Sequence, residues 1–171
     1  MMGKSLVLFY SHSGNTRRIA QIIAAQTGAD LLELEPVSAY PSEYDAVVSQ
    51  ARKEIREKYR PPLRPFSMAW EQYEVVYLGT PNWCDTMAPP VASFLWEWMP
   101  TDKMIVPFCT HGGGGAGHIA HDIADYCIGC NMLPLLSIYG DGGPRAEKEV
   151  GLWLKRITKI LELSNGTSFD P

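Results

Sequence analysis

Apolar and polar positions fall into blocks along this chain, and most blocks end in a cluster of turn-forming residues. Ser5-Leu6-Val7-Leu8-Phe9-Tyr10 is a short apolar run rich in β-formers and predicts a buried strand. From Arg17 to Ala24 the spacing becomes helical, through Ile19, Ala20, Ile22 and Ile23. Leu31 to Pro36 alternates and stops at proline, predicting a second strand near an edge. Pro41-Ser42-Glu43 opens a helix with Ser42 as its cap, running through Val47, Val48, Ala51 and Ile55, with Arg52-Lys53-Glu54 and Arg56-Glu57-Lys58 forming a solvated charged face. Arg60 to Pro65 is a rigid, extended connector, too short for a domain boundary. Tyr73 to Gly79 predicts the third strand and Lys103 to Phe108 the fourth. Between them, Pro89 and Pro90 lead into a helix over Val91 to Trp98. A helix through Ile119, Ile123 and Ala124 follows, then a fifth strand over Met132 to Tyr139 and a final helix carrying Val150 to Leu161.

Strand and helix therefore alternate five times, which predicts an α/β fold: a doubly wound, five-stranded parallel sheet with helices on both faces. Right-handed crossovers leave few topologies. At 171 residues the chain is expected to be one domain, spanning 1–171, with a real hydrophobic core. The net charge of −4 argues against nucleic acid and anionic membranes as partners. No apolar run approaches a membrane span, and the short run at Leu6 passes straight into a loop rather than a signal-type cleavage site. A cytoplasmic location without membrane insertion is the expectation, although Asn165-Gly166-Thr167 fits a glycosylation sequon.

Chemistry concentrates first at Ser11-His12-Ser13-Gly14-Asn15-Thr16, between the first strand and the first helix. Such a turn leaves backbone N–H groups unpaired at the positive end of a helix dipole. The hydroxyls of Ser11, Ser13 and Thr16 and the amide of Asn15 add donors there, so the stretch predicts a phosphate site. It carries no Gly-x4-Gly-Lys-Ser/Thr pattern and no Gly-x-Gly-x-x-Gly, which disfavours nucleotide P-loop and dinucleotide readings. No cysteine lies between Ser11 and Arg18, against a Cys-x5-Arg phosphatase loop, and no acidic cluster follows the first strand, against a receiver domain.

These residues resemble the phosphate loop of flavodoxins, Ser/Thr-x-Thr/Ser-Gly-Asn-Thr, throughout. Thr80-Pro81-Asn82-Trp83, with Met87 to Pro90 behind it, and Thr110-His111-Gly112-Gly113-Gly114 also look like loops of flavodoxin-fold reductases of the NAD(P)H:quinone oxidoreductase type. The resemblance implies a flavodoxin-like strand order 2-1-3-4-5, which brings the loops after strands one, three and four to one crevice. It implies FMN as cofactor, with the first loop on its 5′-phosphate. Trp83 is the natural stacking partner for a flat ring, with Asn82, Cys84 and Asp85 offering backbone groups to the ring edge. Gly112 to Gly115 allow close backbone approach, and His111 stands either at the flavin edge or in solvent. No residue is singled out as catalytic and no metal ligand set is identified.

Two departures from ordinary flavodoxins stand out. Cys84 occupies the place after the tryptophan where flavodoxins often have glycine; a Cβ resists positive φ by roughly 1–2 kcal/mol, which predicts a less stabilised semiquinone. The third loop supplies glycines and His111 rather than a tyrosine, which leaves that ring face open to a nicotinamide or quinone. The resemblance supports two functions: an electron carrier between partner proteins, or an FMN-dependent NAD(P)H:quinone-type oxidoreductase. The short chain and the flavodoxin-type loop favour the carrier, and the mild charge favours the enzyme. Trp96 or Trp98 suits a homodimer face, though both fit the core equally well. His118 and His121 share helical spacing with no carboxylate partner identified. Cys127-Ile128-Gly129-Cys130 has metal-ligand spacing without a second pair. Small buried thiols are its first reading, and a redox pair or metal site its second.

Overall fold

The computed structural model describes residues 3–166, so Thr167 of the sequon lies outside the described residues. Its elements run β1 (Lys4–Phe9), α1 (Asn15–Thr27), β2 (Asp30–Glu33), α2 (Tyr44–Glu57), β3 (Tyr73–Trp83), β4 (Thr86–Met87), α3 (Pro89–Trp98), β5 (Met104–His111), α4 (Ile119–Tyr126), β6 (Asn131–Met132), β7 (Leu136–Tyr139) and α5 (Ala146–Asn165). The sheet order is β2-β1-β3-β5-β6, with β7 also on β5 and β4 folded back antiparallel on β3. Five parallel positions thus follow the expected 2-1-3-4-5 order, because β6 and β7 together fill the fifth.

Alternation along each strand builds two cores. Leu6, Leu8, Val76 and Leu78 pack with Val47 of α2, Phe94 of α3 and Ile123 of α4. Val7, Phe9, Tyr77 and Phe108 pack with Ile19 of α1 and Val150 and Trp153 of α5. A strand buried on both faces needs apolar residues at consecutive positions, which is why β1 reads as a continuous run. Trp98 stacks on Phe66 and Phe94, with ring centroids 5.7 and 5.8 Å away, whereas Trp96 is exposed beneath the Arg60 guanidinium. Among the described residues, no helix is long and apolar enough to cross a membrane.

Four local expectations are corrected. Glu54, expected on the solvated face of α2, is buried and accepts from Tyr40 OH. The cap of α2 is Glu43 rather than Ser42, with no side-chain hydrogen bond. The connector after Arg60 is extended, as expected, and runs antiparallel beside residues 35–37, through Val37 N–H to Pro62 O (2.9 Å) and Arg64 N–H to Glu35 O (2.7 Å). It thereby covers part of the chain after β2 at the sheet edge. The fifth strand is interrupted at Leu133 to Leu135: β5 pairs Met104 with Asn131 but Phe108 with Leu136, so one extra residue is absorbed there. Pro134 has no N–H for the ladder, and its carbonyl instead takes the Trp153 indole N–H at 2.9 Å. Finally, β3 continues to Trp83, past the end expected at Gly79. Pro81 is tolerated there because β1 has ended, leaving only the β5 side paired.

Candidate functional site

The loop between β1 and α1 is closed by its first serine. Ser11 Oγ accepts from the backbone N–H groups of Gly14 and Arg17, both at 3.2 Å. Gly14 sits at φ 95, in the left-handed region that a Cβ disfavours, and forms the helix N-cap. No acceptor among the described residues serves the N–H groups of His12, Ser13, Asn15 or Thr16. The first turn of α1 carries no acidic residue. Arg17 is engaged with Glu33 (2.6 and 3.1 Å), and Arg18 with the carbonyls of Asp141 and Gly143. What the loop offers an anion is therefore backbone N–H groups and the helix dipole rather than a lysine or arginine. A cleft of about 500 Å³ opens beside it, lined by Tyr10, Ser11, His12 and Ser13 on one side and by Glu35 and Tyr40 on the other.

Thr16 turns inward. Its hydroxyl pairs with that of Thr110 at 2.8 Å, and both residues are buried, so this pair bolts the first loop to the end of β5. Thr80, fully buried, is likewise structural: its hydroxyl accepts from Ala88 N–H (2.9 Å) and donates to Pro81 O (2.8 Å). These two bonds hold the β3–β4 hairpin against the start of α3.

The hairpin turn is Cys84-Asp85, at φ 54 and 66. Positive φ at both central residues is what a two-residue hairpin turn of the I′ kind requires. Cys84 therefore adopts positive φ despite its Cβ, at the strain cost expected of a residue other than glycine. The turn is clamped from the third loop. His118 N–H donates to Asp85 O at 2.6 Å, Asn82 Nδ2 donates to Gly115 O at 2.7 Å, and Thr86 Oγ1 donates to Asp122 of α4. Gly117, at φ 50, makes this approach possible, since a Cβ there would lie 2.4 Å from Asp85 O. Gly117→Ala is expected to cost about 2 kcal/mol or more through φ strain and the clash together. Faster hydrogen exchange confined to residues 82–87 and 115–119 checks it; exchange unchanged there would show that the clamp tolerates the methyl group.

Trp83 is half-buried in an aromatic group that sequence reasoning missed. Tyr40, Tyr10 and His12 meet its ring edge-on, with centroids at 4.9, 5.6 and 5.7 Å. His12 donates through Nε2 to Pro41 O at 2.9 Å, which draws it over Trp83 rather than into solvent. Tyr40 OH donates to Glu54, itself buried, at 2.9 Å. Burial first, then Glu54, raises the Tyr10 and Tyr40 phenols above their ordinary range, so both stay protonated. His111 faces the other way. Its Nδ1 accepts from Gly113 N–H at 3.0 Å and its ring lies 5.9 Å from exposed Tyr139. Gly112 and Gly113 are exposed, with nothing within 4 Å of where a Cβ would stand, and Gly114 is as open apart from Asn82 Nδ2 at 3.8 Å.

The structure thus gathers Ser11 to Thr16, Thr80 to Asp85 and Thr110 to Gly114 at the carboxyl ends of three adjacent strands. His118 is not part of the cluster around His121. His121 instead has the carboxylates that spacing alone did not identify, Asp122 at 3.3 Å and Asp125 at 3.7 Å, on an exposed stretch of α4.

A family model described as Flavodoxin matches residues 4–156. Among solved structures, a candidate flavoprotein from Bacteroides eggerthii is 27% identical, covering 91% of this chain and 98% of that one at a TM-score of 0.79. A flavoprotein in complex with FMN from Lactobacillus acidophilus is 19% identical, covering 89% and 99% at a TM-score of 0.72. A flavodoxin from the domain Archaea is 18% identical, covering 93% and 99% at 0.57. No curated protein matches the chain.

Proposed function

This chain belongs to the flavodoxin family, and from that premise we propose that it is a redox flavoprotein carrying electrons between partner proteins through non-covalently held FMN. The observation that carries this reading is the β1–α1 loop, whose N–H groups without an acceptor among the described residues lie at a helix N-terminus with no acidic residue in its first turn. Its residues fit a phosphate: Gly14 leaves the loop free of a Cβ, and neither neighbouring arginine is needed. FMN, when bound, supplies reversible one- and two-electron chemistry.

The chain's own residues have three tasks in this proposal. Ser11 holds the loop shape, while the N–H groups of His12, Ser13, Asn15 and Thr16 take the phosphate. The hairpin through Asn82 to Asp85 offers backbone groups to one ring edge, with Trp83 as the aromatic wall behind it. Thr110 and Gly112 to Gly114 form the opposite side.

A second reading, an FMN-dependent NAD(P)H:quinone-type oxidoreductase, rests on one observation. His111 is turned towards Tyr139 and the glycines beside it are open, so no side chain of the third loop fills the space where a second planar molecule would stack. Anaerobic addition of NADH or NADPH to the FMN-loaded protein separates the two. A carrier keeps its visible flavin band on mixing. The oxidoreductase bleaches within the mixing time of a rapid experiment and recovers with a quinone. Absence of any FMN binding in the visible spectrum would remove both readings and leave the fold.

A further inference from the structure

The Cys-x-x-C stretch lies at the opposite end of the sheet from the phosphate loop, where Asn131 pairs with Met104 at the start of β5. Cys127 caps α4 and Cys130 directly precedes β6. Cys130 N–H donates to Cys127 O at 3.0 Å, closing a four-residue turn with Gly129 at φ 88. A hydrogen-bonded turn holds its end Cα atoms within about 7 Å, the separation a disulfide spans. Both thiols are free. The nearest cluster able to hold a metal, His121 with Asp122 and Asp125, includes neither cysteine.

The two thiols are unequal. Cys127 is 3% exposed, whereas Cys130 is only half-buried. Burial, then the neighbouring Cys130, push the Cys127 thiol up to about 12. A reagent from solvent therefore meets Cys130 first, and Cys127 is placed to resolve what forms there.

We propose that Cys127 and Cys130 are a dithiol–disulfide centre that exchanges electrons with low-molecular-weight disulfides of the glutathione class. The Cys130 thiolate attacks one sulfur of the reagent, forming a mixed disulfide and expelling one thiolate. Cys127 then loses its proton to solvent and attacks Cys130 Sγ, forming the intramolecular bond and expelling the second thiolate. The protein gives up two protons and two electrons, and the reagent becomes two thiols. The other cysteines take no part: Cys109 is buried and bonded to Ser137, and Cys84 stands alone on the hairpin. Closure would staple the end of α4, the helix whose beginning holds the hairpin turn through His118 and Asp122.

The test is intact-mass and peptide analysis of the full chain after equilibration with oxidised glutathione and trapping of remaining thiols. Most molecules are expected to lose two hydrogens in a bond mapping to Cys127 and Cys130, fully reversed by a dithiol reductant. Glutathione on exposed Cys84 adds its own mass and does not mimic this. Cys127→Ser is expected to stop at a glutathione adduct on Cys130, and Cys130→Ser to leave Cys127 unreacted. Wild-type protein that keeps both thiols trappable, or that holds glutathione on Cys130 without closing, overturns the proposal. The wild-type measurement decides the matter even where a variant fails to fold.

Discussion

Ser13→Asp is expected to weaken FMN binding about a hundredfold and to leave riboflavin binding unchanged. Ser13 is exposed and its hydroxyl has no hydrogen bond among the described residues, so the fold does not depend on it. Its backbone N–H is one of the four left without an acceptor at the start of α1. A carboxylate placed there stands within a few ångströms of the proposed phosphate. Two like unit charges about 4 Å apart repel by about 1 kcal/mol in water and about 4 kcal/mol at the effective dielectric of a protein surface. The loop lies between these limits, and about 3 kcal/mol is roughly a hundredfold in Kd. Riboflavin lacks the phosphate and feels none of this. Titration of flavin fluorescence with each ligand reads the difference, and added salt should narrow it by screening. Equal losses for the two flavins would mean that the phosphate sits elsewhere and that the variant has disturbed the ring site.

The first loop was legible because each of its signals is local. An apolar run, a small polar turn and helical spacing from Ile19 onward suffice to place Ser11 to Thr16 between a strand and a helix. The hairpin was not legible for the opposite reason. Pro81 and Asn82 look like turn residues, and their strand conformation comes from partners distant in sequence or across the turn: Thr110 on β5 and Met87 on β4. Trp83 stands off any apolar stripe, which marked it for ring stacking. Its actual neighbours, Tyr10 and Tyr40, arrive from two other segments, and nothing in the spacing joins them. The break in the fifth strand did have a signal, Pro134, but the apolar residues around it read as one strand. The carboxylates beside His121 did have a local signal, since Asp125 stands four residues on, one helical turn away.

Gly79→Ala is expected to destabilise the protein by about 3 kcal/mol, the upper end of what an added core methylene costs. The position lies in the middle of β3, paired with Phe9 of β1 on one side and Phe108 of β5 on the other. The Phe108 ring leans across the glycine, so a Cβ there would stand 2.1 Å from its Cζ. Phe108 is fully buried and Phe9 nearly so, which leaves the ring no free volume to enter. For a chain of this size the loss corresponds to a fall in Tm of roughly 6–12 °C. Position 79 also directly precedes Thr80, whose hydroxyl fixes the hairpin, so a displaced strand should loosen FMN as well as the core. Phe108→Leu in the same chain makes room for the methyl group. The double variant should then be more stable than the sum of the two single losses by about 1 kcal/mol or more, the coupling expected of residues in contact. Chemical denaturation of the four proteins measures that coupling, and strictly additive losses would show that the new methyl group meets something other than the Phe108 ring.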